Sequence, residues 1–321
     1  MTVSFMGSEV SALNVAGAIA ENTTAGNFRA ANGRAAINLL GNLESCYGEW
    51  DSAVGEGWIH WVANSSYDND LTDNVLIVTD GSAVNLFRLM TSAVATFQAQ
   101  YWSGGAWNNV GATFGVDTAL SEFVVHLVAG ASGSFEVYQD STLLSSGTFA
   151  STATDMKRAT FYSSDDASSI NFSEVMLGDA ANTLIFTVCE TEPPTADGTD
   201  TAGTGTYADV DEVPFNDADV LVLANDGDNH SFTSAARTGG LAVVLGVSVG
   251  ARMRCEVTGP QNARFYLKLD GVRYYSDTFA LTTTHAAYQY TWDTDPRTSF
   301  EPWSLTDAQG AGLEWGIEAV A

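Results

Sequence analysis

Between residues 121 and 178 short apolar runs alternate with polar breaks, and the period of that alternation predicts antiparallel strands. Phe123-Val124-Val125-His126-Leu127-Val128 is apolar at nearly every position, Gly130-Ala131-Ser132-Gly133 interrupts it, and Ser134-Phe135-Glu136-Val137-Tyr138-Gln139 resumes with period two. The pair predicts a hairpin. A polar turn at Asp140-Ser141-Thr142 leads to Leu143-Leu144, and two further strands are expected over residues 158–162 and 170–176. Several short strands with regular turn signals predict a sandwich or jelly roll.

The pattern extends in both directions. Upstream, strands are expected over residues 58–62, 75–78, 86–90 and 96–102, followed by the turn Ser103-Gly104-Gly105 and a strand over 107–111. Downstream they are expected over 241–249, 252–257 and 264–269, with Asp270-Gly271 as a strong hairpin turn into Val272-Arg273-Tyr274-Tyr275, and then over 287–292 and 313–318. Residues 1–45 have weak periodicity, with short strands at Val3-Ser4-Phe5 and Ala36-Ile37-Asn38-Leu39. No window carries a helical stripe over three turns, so the fold class is all-β. Glu190-Thr191-Glu192-Pro193-Pro194-Thr195 and the Gly/Thr-rich run after it have almost nothing to bury and read as a linker or a long surface loop. The expected organisation is an N-terminal segment 1–50 packing on or anchoring the first domain, a jelly roll over 51–188, a linker over 189–206 and a second β-sandwich over 207–321.

Composition narrows the partners. The chain has 321 residues and a formal charge of -27, from 12 basic against 39 acidic side chains. Such a field repels a phosphate backbone, which argues against nucleic acid. Lysine occurs only at Lys157 and Lys268, and an acid-rich, lysine-poor surface suits a saline medium in which screening weakens self-repulsion. No stretch approaches a membrane span, and the first residues lack the basic region and apolar core of a secretory signal. Cys46, Cys189 and Cys255 are odd in number and far apart, which fits free thiols in a reducing compartment. Sequons beginning at Asn22, Asn64, Asn171 and Asn229 read as chance in a Ser/Thr/Asn-rich chain.

Candidate chemistry is sparse. A retaining glycosidase needs two carboxyl groups about 5 to 5.5 Å apart. Glu49-Trp50-Asp51 is the nearest match, but the next acid arrives only at Glu56, off the period, and the Glu136/Asp140 pair ends in a turn. His60, His126, His230 and His285 are scattered without a zinc spacing, and no catalytic residue is assigned. Asp68, Asp70 and Asp73 place three carboxylates in one loop, a hard-oxygen set that a structural Ca²⁺ would accept, although a solvated acidic turn explains the same residues. Asp226, Asp228 and Asn229 form a weaker cluster of the same kind, and no other cofactor is expected. Tyr101, Trp102, Trp107, Asn108 and Asn109 surround one hairpin tip with indoles and amides, the flat apolar face and polar rim that a saccharide uses. Trp102 and Trp107 equally suit packing across their own hairpin.

Two parts of the chain carry a resemblance. The stretch 96–179, with Gln100-Tyr101-Trp102-Ser103-Gly104-Gly105-Ala106-Trp107, Phe135-Glu136-Val137-Tyr138 and Ile170-Asn171-Phe172-Ser173-Glu174-Val175-Met176-Leu177-Gly178-Asp179, resembles the concanavalin A-like or laminin-G-like jelly roll of tailed-bacteriophage virion proteins. Tyr207-Ala208-Asp209-Val210-Asp211-Glu212-Val213-Pro214, the run 288–298, Trp303 and Leu313-Glu314-Trp315-Gly316-Ile317 look like a β-sandwich module of tail-associated structural proteins. The likeness spans about residues 55–321. It departs from the family pattern after Asp179, where Ala180-Ala181-Asn182-Thr183-Leu184-Ile185-Phe186 stands in place of a Trp-rich segment.

The resemblance implies a non-enzymatic virion component of the tail tip, baseplate or fibre, assembled in the host cytoplasm. Its implied partners are other virion proteins, symmetry copies of itself as a homo-oligomer, and a host surface glycan, with no nucleic acid and no membrane insertion. Two other readings stay open: a decoration protein on the phage head, and a free carbohydrate-binding protein.

Overall fold

The computed structural model describes residues 3–7, 13–16, 19–22, 36–39, 44–65, 73–117, 119–162, 170–179, 183–185, 187, 189, 191–212, 216–235, 243–298, 301–304, 308 and 313–321. The chain divides into two compact units, Met1–Glu190 and Thr191–Ala321.

The first unit contains β1 (Val3–Gly7), β2 (Asn14–Ala16), β3 (Ile19–Asn22), β4 (Ala36–Leu39), β5 (Ser45–Val54), β6 (Glu56–Ser65), β7 (Asn74–Thr79) and β8 (Asn85–Ala93). It continues with β9 (Thr96–Ser103), β10 (Ala106–Gly115), β11 (Ser121–Val128), β12 (Gly133–Gln139), β13 (Thr142–Phe149), β14 (Met156–Tyr162) and β15 (Ile170–Asp179). One sheet has the order β13-β12-β11-β6-β15-β4-β3, with β1 also on β15, and the other has β10-β9-β8-β7-β14-β5-β2. Every pairing is antiparallel, and the chain passes repeatedly from one sheet to the other, which is a jelly-roll sandwich. Inward side chains from the two sheets meet as aromatic pairs: Trp61 with Phe161, Phe87 with Phe135 and Phe97 with Phe123.

Turn chemistry sets the hairpin registers. Gly104 and Gly105 both have positive φ, at 63° and 80°, as do Asp140 and Ser141, at 46° and 67°. These are the backbone conformations of two-residue hairpin loops. The β9–β10 turn therefore faces Trp102 directly with Trp107 and Gln100 with Asn109.

Two expectations are corrected. The boundary at residue 50 falls inside β5, whose inward Cys46 and Trp50 are fully buried while Tyr47 and Glu49 face out, so the strand hid behind a mixed pattern. Short N-terminal strands are built into both sheets: β1 and β4 pair with β15, and β2 pairs with β5. Part of the stretch read as linker is a strand, β16 (Ala196–Thr201), paired with β17 (Asn229–Thr233). An edge strand needs only backbone partners, so it can form without apolar side chains.

The second unit adds β18 (Val247–Met253), β19 (Asn262–Leu269), β20 (Val272–Tyr275), β21 (Phe279–Ala280), β22 (Ala286–Trp292) and β23 (Glu314–Val320). Its main sheet runs β16-β17-β23-β19-β20, with β21 also on β19, and β18 pairs with β22 as a second layer. Val249, Phe265, Leu267, Leu269, Trp292 and Trp303 form the core between these layers. The Trp303 indole donates to the Trp292 carbonyl at 2.8 Å, closing that core with its polar atom satisfied. Asp270 and Gly271 take positive φ, at 52° and 78°, in the turn joining β19 to β20.

Candidate ligand-binding face

Period-two alternation sends one set of side chains on β5, β14, β7, β8, β9 and β10 into the sandwich and the other set to the outer face of the second sheet. On that outer face the pairing registers align Tyr47, Thr160, Ile77, Arg88, Gln100 and Asn109 in one row across the strands. The row is hydrogen-bonded at its polar end. Arg88 Nη1 donates to Asn74 Oδ1 at 2.8 Å, Arg88 Nε to Gln100 Oε1 at 2.7 Å, and Gln100 Nε2 to Asn109 Oδ1 at 2.6 Å.

Aromatic rings support the cations of this face. The Arg88 guanidinium lies 4.6 Å from the Trp107 ring centroid, and Trp107 meets Trp102 edge-on with centroids 5.2 Å apart. Arg158 sits 4.0 Å over Tyr47 and donates from Nε to Glu49 Oε1 at 2.7 Å. Beside it Glu49, Thr79, Asp80, Gly81, Ala83, Lys157 and Arg158 line a depression of about 210 Å³. Lys157 Nζ is held against the carbonyls of Trp50 and Asp51. Burial lowers the Arg88 pKa from its ordinary value.

The five residues proposed from the hairpin tip are divided by this alternation. Trp102, Trp107 and Asn109 share the outer face with Arg88 and Gln100, because they occupy alternate, directly paired positions. Tyr101 and Asn108 pair with each other on the opposite side, where Tyr101 stacks on Phe149 at 5.5 Å. The Asn108 amide donates to the carbonyls of Ser103 and Ala106, its own turn. Arg88, Gln100 and Asn74 were missed as members of the face. For Arg88 and Gln100 the signal was positional, since each is a polar residue between apolar neighbours on its strand, whereas Asn74 reaches the face through a register shift at the start of β7.

The other candidates are placed as follows. Asp68 and Asp70 lie outside the described residues. The Asp73 backbone is tied to Thr91, with the Asp73 amide donating to Thr91 Oγ1 at 3.1 Å and the Thr91 amide donating to the Asp73 carbonyl at 2.9 Å. Asp228 Oδ2 accepts from the backbone amides of Ala224 and Asn225, and Asp226 Oδ1 accepts from that of Ala321, so this loop spends its carboxylates on its own chain. Among the described residues no group of His, Cys, Asp and Glu is arranged to hold a metal ion.

Glu136 accepts from the Tyr138 hydroxyl at 2.8 Å, and burial together with that carboxylate pushes the Tyr138 pKa up to about 12. Asp140 Oδ1 accepts from the Glu122 amide at its turn. His126 lies between Glu56 and Glu136, at 3.0 and 3.4 Å, and stacks on Trp58 at 4.2 Å. His60 Nδ1 donates to the Glu174 carbonyl at 2.8 Å at a bulge of β15, where Glu174 has a φ of 50°.

No protein-family model matches the sequence, and no curated protein matches it. Among solved structures, the globular domain of T. cruzi calreticulin aligns with 56% of this chain and 88% of its own, at 9% identity and a TM-score of 0.43. The cellulose-induced protein Cip1 aligns with 55% of this chain and 92% of its own, at 12% identity and a TM-score of 0.42. A carbohydrate esterase from the Shiga toxin-encoding bacteriophage phi24B aligns with 56% and 99%, at 13% identity and a TM-score of 0.39.

Proposed function

We propose that the chain is a non-catalytic structural component of a tailed-phage virion whose jelly roll holds a host surface glycan on the outer face of its second sheet. The observation that carries the binding half is the face itself. Two half-buried indoles, Trp102 and Trp107, stand beside an amide row, Gln100 and Asn109, that is fixed in place by Arg88. A saccharide uses such a surface by laying C–H groups on the rings and exchanging hydroxyl hydrogen bonds with the amides. Affinity per site is low for a shallow platform, and repeated copies in a symmetric particle raise it by avidity.

The virion half is supported by the likeness of residues 96–179 to phage jelly rolls. Mass spectrometry and microscopy of purified particles test it, and absence of the polypeptide from the particle overturns it. Titrating the purified chain against a glycan array tests binding. The Trp107→Ala variant is expected to lose roughly tenfold in affinity, the scale of one aromatic contact with its buried area. Release of reducing sugar from any bound polysaccharide would replace the non-catalytic reading with a hydrolase.

A further inference from the structure

Arg88 is unlike the other arginines of the described residues. Arg158, Arg252, Arg254, Arg264, Arg273 and Arg297 each pair with a carboxylate, as expected where 39 acidic side chains surround 12 basic ones. Arg88 has none among the described residues. Its partners are the neutral amide oxygens of Asn74 and Gln100 and the ring of Trp107. Its neighbours in the transverse row, Ile77 and Gln100, are uncharged as well.

Among the described residues this half-buried guanidinium is held by neutral groups, and an anion is the partner that complements its charge. The two amides also fix the plane of the fork, so a planar carboxylate can meet the remaining N–H groups with little further ordering. The indoles of Trp102 and Trp107 lie next to that fork, where the ring carrying the carboxylate would sit.

We propose that the outer face of the second sheet takes an acidic saccharide, a glycan bearing a uronate or sialate carboxylate. Arg88 binds the carboxylate, and Trp102 and Trp107 hold the sugar ring. This rests on the glycan-binding reading and names its ligand class. The formal charge of -27 opposes the approach of an anion, but at physiological ionic strength charges beyond about 8 Å are largely screened, leaving the local pairing in control.

The test uses the full chain and matched probes: sialyllactose against lactose, and a galacturonate tetramer against its carboxyl-reduced form, followed by tryptophan fluorescence. At least one acidic probe is expected to bind roughly tenfold or more tightly than its neutral partner, the scale of a charge-assisted hydrogen-bonded pair. Arg88→Gln is expected to bring the ratio of acidic to neutral affinity down to about one, read as a ratio because Arg88 also fixes the Gln100 and Asn109 amides that neutral sugars use. Should that variant fold poorly, Arg88→Lys keeps the charge without the fork and is expected to lower the ratio of acidic to neutral affinity several-fold. Equal binding of acidic and neutral probes overturns the acidic-ligand assignment and leaves the glycan-binding face standing. Binding of neither class overturns both.

Discussion

Gly316 shows how one side-chain hydrogen sets a surface. A Cβ at this position would lie 2.5 Å from Tyr266 Cζ and closer still to the His230 carbonyl oxygen, so only glycine lets the tyrosine lie across β23. That placement brings the Tyr266 hydroxyl to Asp200 Oδ2 at 3.0 Å, beside Lys268 Nζ at 3.0 Å and Arg273 Nε at 3.0 Å. Gly316→Ala is expected to destabilise the second unit by about 1–3 kcal/mol, the usual cost of overpacking, read from chemical denaturation. Asp200 itself is desolvated, which raises its pKa, but Arg273, Lys268 and Tyr266 together outweigh burial and hold it below its ordinary 3.8. Glu314, also desolvated, is brought below 4.5 by Ser231, Thr199 and Lys268. Both carboxyls therefore bind fewer protons folded than unfolded. Their stabilisation is complete at neutral pH and is lost as pH falls below these unfolded values through the lowered folded ones. Asp200→Asn is expected to cost about 2–4 kcal/mol at pH 7, because it leaves Arg273 and Lys268 without their shared anion. The deficit should shrink toward pH 3, and a constant deficit would show that the loss is one of packing.

At the scale of the element, the first sandwich depends on strands that face each other through aromatic rings. Trp61 on β6 is fully buried, stacked on Phe123 at 5.3 Å and edge-on to Phe161 at 5.5 Å, so it joins both sheets. Trp61→Ala is expected to cost about 3–5 kcal/mol by denaturant unfolding, and a loss below 1 kcal/mol would mean that the layers hold together elsewhere. Strands of this kind were readable from the chain because their apolar runs are unbroken and their turns carry Gly-Gly, Asp-Ser or Asp-Gly. Strand β5 was not, since outward Tyr47 and Glu49 interrupt its apolar positions, and β16 was not, since Ala-Asp-Gly-Thr-Asp-Thr has no core face at all. The candidate face was half readable for the same reason. A contiguous stretch such as Tyr101 to Asn109 reads as one patch in sequence, whereas a strand turns every second side chain away. Arg88 and Asn74 reach the patch only through pairing between strands, which local pattern does not encode.

For the molecule as a whole the governing quantity is charge. With 39 acidic and 12 basic side chains, acids outnumber cations more than threefold, and the repulsion among the carboxylates opposes compaction. The described cations are concentrated where they do local work: Arg88 and Arg158 on one face of the jelly roll, and Arg264, Lys268 and Arg273 among Asp200, Glu314 and Glu318 in the second unit. Salt therefore acts in two directions. It weakens these close pairs modestly, because they are partly buried, and it relieves the long-range repulsion strongly, because that acts through solvent. Raising sodium chloride from about 0.01 M, where the screening length is about 30 Å, to about 0.15 M, where it is about 8 Å, is expected to raise Tm by a few degrees at pH 7. The gain should disappear near the sequence pI of about 4.1, where repulsion is already neutralised. A Tm that falls with salt at pH 7 would instead make the ion pairs of the second unit, not surface repulsion, the electrostatic term that decides stability.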